Sequence, residues 1–165
     1  MKTQATKDLE HLLKNKFKYG NDFYVFECTI GWNGREIVDC IMYNCQRQVY
    51  CYEIKQSVSD FHSKNKLTFI GNINYFVMTY DLYQKVKDEL YSKEEYRDIG
   101  VYVSVKIPDT KGWTLEQWNE YNLQRQSNIY ENGFDDLVVV KRPIRRELRA
   151  DKEVILSSML RSMQR

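Results

Sequence analysis

Arg35-Glu36-Ile37-Val38-Asp39-Cys40-Ile41-Met42-Tyr43, a polar turn, and then Gln48-Val49-Tyr50-Cys51-Tyr52-Glu53-Ile54-Lys55 decide how this chain is read. Both runs have the β-branched and aromatic content of strands, and both carry charge where strands rarely do. Asp39 stands between Val38 and Cys40. Asp is depleted in strand interiors and is seldom buried without a partner. Glu53 and Lys55 are two residues apart, so on a strand they share a face, while Ile54 points the other way. If the runs form a hairpin whose loop is centred on Gln46, Asp39 falls directly opposite Glu53. A loop of three or five residues achieves this, and both lengths are common. Opposed carboxylates repel, so the pair requires a cation. Lys55 is one candidate, and a divalent metal ion is the other.

The second run is apolar on both faces until its end: Val49 and Cys51 on one, Tyr50, Tyr52 and Ile54 on the other. That is the pattern of a central strand covered on both sides. Charge collects at its C-terminal end, where open α/β sheets place their sites. An ion pair alone explains the arrangement poorly, because a buried salt bridge contributes little stability.

The pattern of Asp39, about a dozen residues, and then Glu53-Ile54-Lys55 resembles the active-site signature of the PD-(D/E)xK nuclease superfamily. Glu27-Cys28-Thr29-Ile30, Gly34-Arg35, Asp39 and Glu53-Ile54-Lys55-x-Ser57-x-x-Asp60-Phe61 look like its MmcB-like DNA-repair branch. The motif detail covers roughly residues 20–80. The resemblance implies an α/β fold, with a restriction-endonuclease-like mixed central sheet flanked by helices. It implies metal-dependent hydrolysis of a DNA phosphodiester, with Asp39, Glu53 and Lys55 as catalytic residues. Mg²⁺ or Mn²⁺ would be held by Asp39, Glu53 and the Ile54 backbone carbonyl, joined by Glu27 or Glu10. Two positions depart from the branch: Lys64 stands where it usually has an acid, and Leu67 where it has Trp. Asn74 lies near a position that often carries Asp. These departures keep a second reading open, a non-cleaving nucleic-acid- or protein-binding module on the same fold.

Glu27 turns on a loop. A three-residue loop at Trp32 to Gly34 sets Glu27 opposite Asp39 on the same face. A two-residue Asn33-Gly34 loop sends it to the other face, because a one-residue slip flips every side chain. Glu10 flanks the apolar stripe of a helix over 6–17, with Thr6 as its candidate N-cap. Ser57, Ser59 and Asp60 are candidate caps of a short helix, and a cap is the simplest reading of Asp60. Gln56 and Ser57 are candidate phosphate contacts, as are Lys64 and Lys66.

Further strands are expected at 74–80, 101–107 and 137–140. A helix over 81–91 is expected between the first two, with Asp81 as its cap. Thr114 and Gln117 form a capping box for a helix inserted at about 108–132. There, Trp113, Trp118 and Tyr121 either stack on bases or pack the insertion onto the body. Lys141, Arg142, Arg145 and Arg146 form a basic cluster suited to phosphate contact, or else a solvated linker. A last helix carries Ile155, Leu156, Met159, Leu160 and Met163, to cover the sheet or to meet a partner.

At 165 residues the chain has the length of one domain with a real core. Its net charge of +2 neither demands nor excludes nucleic acid. No apolar run reaches the length of a membrane span, and no signal-peptide core is seen, so a cytoplasmic protein is expected. The four cysteines lack paired Cys-x-x-Cys spacing and read as buried free thiols. DNA is the expected partner, with a protein partner or homodimer contact through the last helix or the aromatic insertion.

Overall fold

The computed structural model describes residues 1–34, 36–63 and 69–165. It is an α/β protein with one six-stranded mixed sheet flanked by helices, as expected. The strands are β1 (Phe23–Ile30), β2 (Glu36–Tyr43), β3 (Val49–Ile54), β4 (Ile73–Thr79), β5 (Gly100–Val105) and β6 (Asp136–Lys141). They lie in sequence order. β1, β2 and β3 pair antiparallel; β3, β4 and β5 pair parallel; β6 returns antiparallel to β5.

The helices are α1 (Gln4–Phe17), α2 (Val58–Phe61), α3 (Tyr80–Ser92), α4 (Leu115–Gln126) and α5 (Lys152–Met163), with a short 3₁₀ turn at Glu94–Tyr96. Leu9, Leu12, Leu13 and Phe17 of α1 are buried against Cys40, Met42, Tyr52, Ile54, Tyr75 and Val77 on one face of the sheet. On the other face, Leu82, Val86 and Leu90 of α3 and Ile155 and Met159 of α5 cover Val25, Val38, Ile41, Phe76 and Val103. β3 is thus covered on both sides, which explains its apolar sequence.

Some helix starts differ from expectation. Thr3, not Thr6, caps α1, accepting from the Thr6 amide at 3.2 Å. Thr79, not Asp81, caps α3, accepting from Leu82 at 3.2 Å. Of the three candidates, Ser57 caps α2. In each case a hydroxyl side chain just upstream reaches the free amides first. The Thr114–Gln117 capping box forms as expected. α4, however, buries none of its residues. Trp113 packs on Trp118 and Tyr121 with ring centroids 5.3 and 5.4 Å apart. These rings therefore hold the insertion together and do not seat the helix on the sheet.

Cys28, Cys40 and Cys51 are buried, Cys45 is exposed, and all four are free. No described helix is long and apolar enough to cross a membrane.

Candidate active site

The hairpin register brings Asp39 to Glu53. β2 and β3 pair Cys40 with Tyr52 and Tyr43 with Val49, and the next pair outward is Asp39 and Glu53. The ladder stops short of it. In its place, Asp39 Oδ2 accepts the Ile54 amide hydrogen at 2.8 Å, and the Glu53 side chain lies within reach of the Asp39 carboxyl. Glu53 is buried, and the Lys55 side chain, at 6% exposure, lies beside the pair. Burial raises the Asp39 carboxyl above its ordinary range. The Ile54 amide, the Lys55 charge and the Glu53 hydrogen bond oppose that rise, and Asp60 adds to it.

Asp60 belongs to this cluster. It sits at the third position of α2, accepts from the Gln56 amide at 3.0 Å, and lies 4.0 Å from the Lys55 ammonium. A cap was the simplest sequence reading of Asp60. Its place five residues after Lys55, on a helix starting at once, was the available signal for more.

The opposite hairpin carries a break at the same level. β1 and β2 pair Phe26 with Cys40 and Cys28 with Val38, skipping Glu27 and Asp39 between them. Phe26 and Cys40 pack on the α1 side, whereas Cys28 and Val38 pack on the other. Side chains two apart normally share a face, so alternation slips by one on both strands. Glu27 takes a left-handed backbone, φ 52°, a conformation that costs a non-glycine residue about 1 kcal/mol or more. The register is that of the three-residue loop, with Glu27 at the position facing Asp39. Its side chain is nevertheless 63% exposed and lies 3.1 Å from the Lys2 ammonium. Lys2 also bonds Glu10, which is only 13% exposed. Burial lowers the Lys2 pKa, but the hydrogen bonds and charges of Glu10 and Glu27 outweigh it, and the net shift is upward. Glu10 and Glu27 thus share a tethered ammonium beside the Asp39 cluster.

The structure separates the proposed phosphate contacts. Lys64 and Lys66 lie outside the described residues. Gln56 is exposed, but its side-chain carbonyl accepts from the Thr3 and Thr6 hydroxyls, joining the end of β3 to α1. Ser57 Oγ accepts the Asp60 amide.

Lys141 is not a phosphate contact. It is buried, and its ammonium donates to the carbonyls of Tyr96, Arg97 and Ile99 at 2.8, 3.1 and 2.6 Å. Three donors meet three acceptors and none remains. Burial lowers its pKa. Arg146 is likewise structural: its guanidinium donates to the Phe69 carbonyl and its amide to Asn72, fastening the segment after β6 to the turn before β4. Arg142 and Arg145 are exposed.

Asn74 is fully buried and closes both hydrogen bonds on Gly71, accepting at 3.0 Å and donating at 2.9 Å. An Asp there would lose the donor, which accounts for Asn at this position.

Among the described residues no group of three or more His, Cys, Asp and Glu side chains is gathered to hold a metal ion. Mg²⁺ requires fewer, since it keeps several waters and is commonly bound through one or two carboxylates. Asp39 and Glu53 supply two. The donor set therefore fits a hard, oxygen-loving dication and not a fully caged one.

Across its length the chain is similar to a solved structure, the SPO1766 protein of unknown function from Silicibacter pomeroyi. The TM-score is 0.64 at 11% identity, covering 99% of this chain and 89% of that one. At this identity the likeness shows a shared fold alone. No protein-family model and no curated protein matches the chain.

Proposed function

We propose that this protein is a metal-dependent nuclease acting on DNA, in repair or processing. The observation that carries the reading is the half-buried Asp39 carboxyl against the buried Glu53, with the buried Lys55 beside them. Asp39, Glu53 and the Ile54 carbonyl are the groups that would hold Mg²⁺ or Mn²⁺. Such an ion, when bound, polarises a phosphoryl oxygen and acidifies water.

The chain's own residues do the rest. Asp39 and Glu53 would offer their carboxylate oxygens to the ion. The Ile54 amide keeps the Asp39 carboxylate in one orientation. Lys55, held in place by burial and by Asp60, directs its ammonium at the attacking water and offsets charge that develops on the phosphate. Arg142 and Arg145 are the exposed cations of the basic segment and the remaining backbone contacts there.

A specific observation favours the second reading, a binding module that does not cleave: among the described residues no third acid is gathered with the pair so as to hold a metal ion. Calorimetric Mn²⁺ titration of wild type, Asp39→Asn and Glu53→Gln, followed by plasmid cleavage in the same buffer, separates the two. The nuclease reading expects saturable binding and cleavage, both lost in each variant. Plasmid binding without Mn²⁺ uptake or cleavage selects the binding module.

A further inference from the structure

A second concave site lies in the insertion, away from the carboxyl pair. It is a cleft of about 540 Å³ between α4 and the strand-like segment after it, lined by Lys106, Trp113, Glu120, Tyr121, Tyr130 and Glu131 among others. Its wall is braced from both ends. Trp113 meets Tyr121 edge to face at 5.4 Å. Tyr130 packs on Tyr80 at 5.9 Å, and Tyr80 donates its hydroxyl to the Asn128 carbonyl. Three half-buried rings therefore face one opening from fixed positions.

The charge at this opening is negative. Glu120 and Glu131 line it, and the one lining cation, Lys106, lies 3.4 Å from Glu131. Aromatic faces and carboxylates both attract cations, and together they discriminate against phosphate. Tyr121 already displays this preference: the Arg125 guanidinium lies 5.6 Å from its ring centroid. At the cleft, Ile129 in the lining and Ile107, between the lining residues Lys106 and Pro108, are 53 and 51% exposed. A small cation would leave them in water, whereas a polypeptide would cover them.

We infer that the cleft between α4 and residues 129–131 is a docking site for a basic segment of a partner protein, with an arginine or lysine side chain seated among Trp113, Tyr121 and Tyr130. This assignment does not depend on the nuclease reading. It also argues against bases stacking on the same rings, because Glu120 and Glu131 would repel the attached phosphates.

The test uses the full chain and its intrinsic tryptophan fluorescence. Hexa-arginine, hexa-glutamate and a short oligothymidylate are titrated separately. Hexa-arginine is expected to give a saturable change, and the other two none. Glu120→Gln with Glu131→Gln, both surface substitutions, should weaken hexa-arginine about fivefold, as should Tyr121→Leu. Glu53→Gln should leave its affinity unchanged. The inference is overturned if the Glu120/Glu131 variant binds like wild type, if only Glu53→Gln weakens binding, if the oligothymidylate gives the response, or if no probe does.

Discussion

The Asp39 carboxyl takes the amide hydrogen of Ile54 at 2.8 Å. A side chain thus continues the β2–β3 hairpin where the backbone ladder ends. The contact lets an acid sit on apolar strands, but it does not offset burial, which still raises the Asp39 pKa above its ordinary value.

The sign of that shift gives the first prediction. A carboxyl whose folded pKa exceeds its unfolded one contributes its full stability below the unfolded value and loses it as pH rises through the folded value. Wild type therefore carries an ionisation penalty at neutral pH. Asp39→Asn keeps an oxygen for the Ile54 amide and removes the penalty. Its melting temperature should exceed that of wild type by about 2–4 °C at pH 7, with the gap closing as pH falls to about 4. Thermal denaturation across that range measures it; a lower melting temperature at pH 7 would show that the Asp39 charge stabilises the fold.

Lys55 predicts the opposite behaviour. Its side chain is buried at 6% exposure, next to Asp39 and 4.0 Å from Asp60. Lys55→Met removes the positive partner and leaves carboxylates in a poorly solvated place. Losing one member of a buried charged set costs about 3 kcal/mol. Urea denaturation at pH 7 should register that loss, and the loss should shrink as pH falls and Asp39, whose pKa is raised, takes up its proton. A pH-independent loss would assign Lys55 a packing role only.

The basic segment divides into two kinds of residue. Lys141→Met strands three buried carbonyls and should destabilise by about 3 kcal/mol. Its effect on DNA affinity, measured where the variant is folded, should be nil. Arg142→Ala with Arg145→Ala should leave the melting temperature within about 1–2 °C and weaken binding to duplex DNA by filter retention. It should also flatten the salt dependence by about two phosphate contacts. Equal DNA affinity in wild type and the double variant would remove this segment from the nucleic-acid surface.

These contrasts mark where the sequence was legible. The Asp39–Glu53 alignment could be read because strand period and loop length together leave few registers. The apolar faces of β3 announced cover on both sides. Lys141 and Arg142 look alike in a basic run, and only the end of β6 decides that one turns inward. Two helix caps were off by two or three residues because neighbouring polar side chains can each satisfy the same amides. The slip at Glu27 was hidden: a left-handed residue within a strand is usually signalled by glycine, and here it is a glutamate. The detachment of α4 was hidden as well, because a capping box fixes where a helix begins and not what it packs against.

Lys2 decides whether Glu10 and Glu27 belong to the site. Its ammonium joins the two acids, and the adjoining Thr3 is tied to Gln56 at the end of β3. The N-terminal residues therefore hold a cation on Glu10 and Glu27. Glu27 is exposed but Glu10 is mostly buried, so Lys2→Ala should lower stability by about 1 kcal/mol. Its effect on metal affinity should be larger. With the tethered charge gone, two uncompensated acids stand beside Asp39 and draw a dication more strongly. Mn²⁺ affinity by calorimetry should rise about fivefold at low salt. Adding Glu10→Gln should return it toward wild type. The rise should shrink at high ionic strength if Glu10 and Glu27 act through the field, and persist if one of them coordinates the ion directly. An unchanged affinity in Lys2→Ala at low salt would place both acids outside the site and leave Asp39 and Glu53 to bind alone.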